Sequence, residues 1–300
     1  MQCDVIFPGR WINVLTLDEV LSSSAGPHDP RCTEITLRFP AGCKVMVDAG
    51  VRILSLANQL SSTGRYVTLV FKDGEAGTMG YLNRMGFFDL LSPEVKTVPE
   101  RPALSGATVY GRRNINLVEF ERISPDHRDE SLPSRLAEPL EPSLRTPHRR
   151  GLGQAAFTIF AELIDNIFQH SATKLDGYAA LQVYSSGGRA QVVVSDSGVG
   201  ILETIRPTLR LPRHSKLSDT DLIVEIFRQG ISRHGDLRGC GLKGSAAQAI
   251  KFNAELEVRL PTCSVRLRPS LDGYKPNTAH CRSNLPLIWG THICFDFSLD

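Results

Sequence analysis

The longest stretch of organised hydrophobic patterning runs from Phe157 to Ile201. Apolar Ala156, Ile159, Phe160, Leu163, Ile164, Ile167 and Phe168 recur at three- and four-residue steps, which predicts an amphipathic helix with one buried face. Polar Glu162, Asn166 and His170 lie four apart on its other side, each about 40° round from the last, with Asp165 beside them. Ala190 to Ser195 is a short β-branched run of the kind found in buried strands, and it ends in Asp196-Ser197-Gly198-Val199-Gly200. Further on, Ser218 and Asp221 form a helix-start pair for Asp219 to Gln229, which stops at Gly230. A glycine cluster, Arg238 to Ser245, precedes a helical pattern at Ala246 to Phe252, and alternating strands follow at 254–260, 265–268 and 291–298.

The first part of the chain has a different rhythm. Thr33 to Phe39 alternates as a strand, Val51 to Leu60 is helical, Tyr66 to Phe71 is a second strand, and Met79 to Leu90 holds a helix ending near Gly86. Strand, helix, strand, helix predicts a small α/β sandwich with part of its sheet parallel. Between the halves, Ser124 to Arg150 carries five prolines. Leu132, Leu136, Leu140 and Leu144 are spaced for a helix, but Pro133, Pro139 and Pro142 oppose one, so an extended connector that lays leucines on a neighbour is expected. The division expected is therefore 1–123, a connector at 124–150, and 151–300.

Three of these motifs carry chemistry. An amide oxygen such as that of Asn166 ligates Mg²⁺ well, with a carboxylate one turn away reaching its outer shell, although the same spacing describes any solvated helix face. A carboxylate at a strand end, Asp196, suits the exocyclic amine of an adenine, and the glycines after it let backbone approach a ligand closely; DSGVG is otherwise a plain tight turn. Glycines opening a helix present its first N–H groups to an anion, a phosphate seat.

In their order, ELIDNIFQH, DSGVGI and GCGLKGS resemble the N, G1 and G2 boxes of the GHKL ATPase superfamily, which includes gyrase B, Hsp90, histidine kinases and MutL. Gly290-Thr291-His292-Ile293-Cys294-Phe295 is similar to that family's closing strand. The resemblance implies an α/β sandwich with a mixed sheet, ATP and Mg²⁺ as cofactors, and a nucleotide-ordered lid between the second and third motifs. It implies Glu162 as general base and Asn166 as Mg²⁺ ligand, with Asp165 beside it, and Asp196 on the adenine amine. Gly198 and Gly200 would shape the base pocket, Thr291 would assist through a water, and Gly239, Gly241 and Leu242 would wrap the phosphates. Among Arg233, Arg238 and Lys243, Lys243 is the favoured cation for the terminal phosphate.

The first half resembles a STAS-type domain, with LNRMGFFDLL as its closing helix and turn. Val47-Asp48-Ala49-Gly50 would be the turn before the first helix, with alanine where that family carries a phosphorylatable serine. The expected function is a regulatory Mg-ATPase whose lid controls contact with a protein partner docked through the first half. Two alternatives stay open: a kinase of the anti-sigma or histidine-kinase type acting on a separate protein, and a non-catalytic ATP-sensing scaffold. Dimerisation with a second copy is also open.

Composition narrows this further. At 300 residues two ordinary domains fit, and a formal net charge of +2 gives no electrostatic case for nucleic acid or an anionic membrane. Nowhere do eighteen apolar residues run uninterrupted, so neither a signal peptide nor a membrane span is expected. Seven cysteines without paired spacing favour reduced cytoplasmic thiols over a disulfide framework or zinc cluster, and Cys240 sits inside the proposed phosphate loop.

Overall fold

The computed structural model describes every residue except 24–25, 112–113, 115, 139, 141–150, 171, 185–187, 232–240, 272 and 300, and the side chains of 169, 170 and 241. The first elements are β1 (Gln2–Ile6), β2 (Trp11–Ile12) and α1 (Val14–Ser22), whose first turn is capped where Asn13 Oδ1 accepts from Thr16 N at 3.0 Å. There follow β3 (Glu34–Phe39), β4 (Lys44–Val45), α2 (Val47–Ser62) and β5 (Tyr66–Phe71). Next come α3 (Thr78–Arg84), α4 (Phe87–Leu90), β6 (Lys96–Val98) and α5 (Gly106–Tyr110). Strands β1, β3, β5 and β6 make a four-stranded sheet in the order β1-β3-β5-β6, parallel throughout, and β2 and β4 pair beside it. The helices serve as the crossovers that parallel neighbours require.

The second half contains β7 (Leu117–Ile123), α6 (Leu132–Ala137), α7 (Leu152–His170), β8 (Gly177–Tyr184) and β9 (Arg189–Ser195). It continues with α8 (Ile201–Ile205), α9 (Pro212–Ser215), α10 (Asp219–Gln229) and α11 (Gly241–Lys251). Strands β10 (Glu255–Arg259), β11 (Ser264–Ser270), β12 (Gly273–Pro276) and β13 (His292–Ser298) close it. Its seven-stranded sheet runs β12-β11-β10-β13-β9-β8-β7. The protein is thus mixed α/β, with parallel and antiparallel sheets side by side.

Several expectations are corrected. The large sheet is antiparallel at every pairing, not mixed, because β13 lies between β9 and β10 and is antiparallel to both. Strand β7, assigned by sequence to the first unit, pairs with β8 at the edge of this sheet. Within the expected extended connector, Leu132–Ala137 is helical: Pro133 falls in the first turn, where a helix needs no N–H from it. Leu132, Leu136 and Leu140 are buried as expected, in the same core as α7, while 141–150 lies outside the described residues. Val47 to Gly50 is the first turn of α2 rather than a turn before it. Cys3 and Cys32 form a disulfide, against the expectation of reduced thiols. The parallel register of β1 on β3 brings the two Cα atoms to 5.8 Å, inside the range a bridge spans.

The two halves are joined through the large sheet, which has a separate core on each face. Ala190 to Ser195 is buried along its whole length, so both faces of the large sheet are covered here, in keeping with the Val192-Val193-Val194 run. Val192 and Val194 pack in the core of α7, α10 and α11, whereas Val193, Tyr178, Ala180 and Cys294 belong to the core of the first half. Helix α2 supplies the cover, packing against β8, β9 and β5 and burying most of its length. A charge cluster is sealed at this seam. Arg259 Nε bonds Asp18 Oδ1 at 3.1 Å, Arg52 Nη2 bonds Glu257 Oε2 at 2.8 Å, and Arg52 Nη1 lies 3.5 Å from Asp18 Oδ2. Each of these side chains is buried.

Asp48, in the first turn of α2, is also buried, and desolvation pushes its carboxyl up to about 6 against the opposing pull of Ala49 N–H and Arg52. The folded value lies above the ordinary 3.8, so the unfolded chain ionises first as pH rises. Stability is therefore fully present below about pH 4 and is lost through about pH 6. Asp48→Asn keeps the acceptor for Ala49 N–H and removes the charge. It is expected to raise stability by as much as about 3 kcal/mol at pH 7 and by almost nothing at pH 3. Urea midpoints at the two pH values check this; equal shifts at both would refute the ionisation account.

Candidate functional site

Helix α7 presents its apolar row to the large sheet, with Ala156, Ile159, Phe160, Leu163, Ile164 and Ile167 buried. Strand β9 enters the sheet beside β13, and its last residue pairs with the first of β13, Ser195 opposite His292. That register sets Asp196 next to Thr291, and Asp196 N donates to Thr291 O at 3.0 Å. Asn166, Asp196 and Thr291 consequently line one hollow with Leu163, Ile167, Val194, Ile201 and Ile293. Two of the three chemical motifs, those of Asn166 and Asp196, meet there with the closing strand at Thr291, whereas Gly241 and Leu242 do not line this hollow. The hollow measures about 20 Å³, room for a water molecule, so a purine ring would require side chains around it to move.

Asp196 is held firmly. Its Oδ1 accepts from Gly198 N at 2.7 Å and its Oδ2 from Thr291 N at 3.1 Å. Burial pushes its carboxyl up to about 6, with those donors working against the rise. Thr291 Oγ1 accepts from Ile201 N at 2.8 Å, tying β13 to the start of α8. Gly200 and Gly290 have φ of +87° and +93°, the left-handed region that favours glycine. A Cβ on Gly290 would lie 2.1 Å from Asp196 O. Gly290, expected only as part of a strand, thus backs directly onto Asp196.

The polar row of α7 divides. Asn166 faces the hollow, and its Nδ2 is buried without a hydrogen-bond partner among the described residues. An amide in that position suits a phosphate oxygen at its nitrogen or a cation at its oxygen. Glu162 is half-buried, and desolvation, then the neighbouring Asp165 charge, holds its carboxyl above the usual range. Asp165 is engaged elsewhere: its Oδ1 accepts from Arg128 Nη1 at 2.6 Å, and the same guanidinium lies over the Phe168 ring. Among the described residues no group of three or more His, Cys, Asp or Glu is arranged to hold a metal.

Gly241-Leu242-Lys243-Gly244-Ser245, expected as a loop before a helix, forms the first turns of α11. Leu242 is buried and Lys243 exposed. Helix α11 packs along α7, and Gly151 at the head of α7 sits against Phe252 just past the tail of α11. The helices therefore run in opposite directions, and the first turn of α11 lies toward the half of α7 that bears Glu162 and Asn166. Gly239, Arg233, Arg238 and Cys240 lie outside the described residues, as does the side chain of His170.

Behind the Asp196 turn is a buried polar network that sequence reading missed. Gln59 Nε2 donates to Ser197 Oγ and to Trp289 O, both at 3.0 Å, and Gln59 Oε1 accepts from Trp289 N at 3.0 Å. Burial lowers the His292 pKa and keeps the ring neutral, so Nε2–H donates to Trp289 O and Nδ1 is left to accept from Ser195 Oγ. Ser195 Oγ in turn accepts from Ser55 Oγ at 3.0 Å. Ser55 and Gln59, one turn apart on α2, thus clamp the residues on either side of Asp196. The available signal was a pair of polar residues at helical spacing within an apolar helix.

No family model matches this chain, and neither a curated protein nor a solved structure shows significant similarity to it.

Proposed function

We propose that this chain binds Mg-ATP at the hollow between α7, β9 and β13, and that it is an ATPase of the GHKL type whose nucleotide state governs contact with a protein partner. One observation supports this reading: a buried carboxyl, Asp196, and the half-buried Asn166, whose buried Nδ2 has no hydrogen-bond partner among the described residues, converge on one hollow from separate motifs. Asp196 would accept the adenine amine, its orientation fixed by Gly198 and Thr291. Asn166 would be the protein ligand of Mg²⁺, which when bound offsets phosphate charge. Glu162, one turn away, would take the proton of the attacking water, a task that its raised pKa favours. Gly241 and Leu242 would receive phosphate at the head of α11, with Lys243 as the nearby cation.

The STAS-like first half, backed against β9 through α2, would dock the partner. No helix among the described residues is long and apolar enough to cross a membrane.

Thermal-shift measurements test the binding reading. ATP is expected to raise the melting temperature more than GTP does, with the larger rise in Mg²⁺. Asp196→Asn should erase the preference for adenine. Glu162→Ala should retain that shift while phosphate release falls by about 100-fold or more. No shift with any nucleotide would sink the proposal, and phosphate appearing on a protein instead of in solution would move the chain to the kinase alternative.

A further inference from the structure

A larger cavity, about 440 Å³, opens at the seam between the first half and strand β8, away from the hollow at Asp196. Its volume is that of a small-molecule site, roughly 300–1,000 Å³. Its walls come from β2, β4, the segment leading into α3, and β8, so neither half forms it alone.

The polar atoms on these walls are only partly used. Tyr81 Oη donates to Gln182 Oε1 at 2.9 Å, so the amide oxygen is taken and Nε2 still has protons to give. Tyr184 Oη accepts from Val47 N at 3.2 Å, leaving its own proton for another acceptor. The exposed ammonium of Lys44 has no carboxylate partner among the described residues and lies 5.4 Å from the centroid of the Trp11 ring. Asp73 Oδ2 accepts from Gly42 N at 2.9 Å, and its Oδ1 remains open to a donor. Trp11, Tyr81 and Tyr184 add ring surface, and the Trp11 indole is 56% exposed although it borders a cavity.

A lone cation, an open carboxylate oxygen, two neutral donors and three rings around one cavity match a ligand that carries a ring and both charges. We propose that this cavity is a second ligand site that takes a small aromatic zwitterion of the α-amino-acid type. Lys44, supported by Gln182 and Tyr184, binds the carboxylate, Asp73 binds the ammonium, and the ring lies against the aromatic side chains. The inference does not depend on nucleotide binding.

Calorimetric titration of the full chain with L-tryptophan and L-phenylalanine tests it. Tryptamine lacks the carboxylate and indole-3-propionate lacks the ammonium, and each is expected to bind about tenfold more weakly than L-tryptophan, the loss of one charge-assisted hydrogen bond. In Lys44→Met the gap between L-tryptophan and tryptamine should close. In Asp73→Asn, which keeps an acceptor for Gly42 N, the gap to indole-3-propionate should close instead. Lys44 and Asp73 are exposed, so both variants should melt with the wild type. Absence of binding by both amino acids at millimolar concentration, or gaps that persist in the variants, would overturn the proposal.

Discussion

Arg259→Met is expected to destabilise the protein by about 3–5 kcal/mol, the typical cost of breaking a buried ion pair from one side. Arg259 is fully buried, and its three nitrogens are all engaged: Nε with Asp18, Nη2 with Pro286 O at 2.6 Å, and Nη1 with Leu260 O. Methionine fills much of the volume but satisfies none of these acceptors. Asp18 would keep only the 3.5 Å contact with Arg52. Because Asp18 belongs to α1 and Arg259 to β10, the loss falls on the seam between the halves. The check is the urea midpoint with an unchanged slope. Pairing the change with Asp18→Asn should cost less than the sum of the two, since the second removes the charge that the first strands. A loss below about 1 kcal/mol would mean that the cluster is not sealed from water.

Gly290→Ala is expected to cost at least about 3 kcal/mol, from left-handed backbone strain and from overpacking. The added Cβ would fall 2.1 Å from Asp196 O and 2.7 Å from Asp196 Oδ1. These are backbone and a hydrogen-bonded carboxylate, so neither yields easily. The variant should therefore also lose whatever ligand response Asp196 supports, even where it remains folded at low temperature. Thermal melting with and without ATP reads both effects. A variant that melts with the wild type would show that the β9–β13 junction can relax, contrary to the packing described.

What the chain revealed in advance follows from how local each signal is. The period of α7, the β-branched run of β9, and the Ser218 and Gly230 ends of α10 are written in neighbouring residues, and all three elements form where expected. The convergence of Asn166, Asp196 and Thr291 was expected only through a resemblance of motif order, since nothing local to the three segments says that they meet. Strand order was not. Nothing in the residues of β13 says that it inserts between β9 and β10, since that choice is set by long-range pairing. The glycines at 241 and 244 suggested a loop because propensity disfavours them in helices, yet packing on α7 overrides a penalty of about 1 kcal/mol each. The disulfide was hidden for the same reason as the seam: Cys3 and Cys32 are 29 residues apart and meet only through strand register. Asp165 was placed by its neighbours in sequence, whereas a cation 37 residues earlier decides where its carboxylate is held.

The placement of β13 has a kinetic side. Because β13 is synthesised after both β9 and β10, either of those strands, if formed first, would show an unpaired edge until β13 arrives. The centre of the large sheet is thus the last part to be filled, and a nascent chain that stalls before residue 292 would be sticky rather than half-built. Folding of this protein should be slow to commit and then abrupt, with the segment that brings Thr291 to Asp196 acting as the keystone.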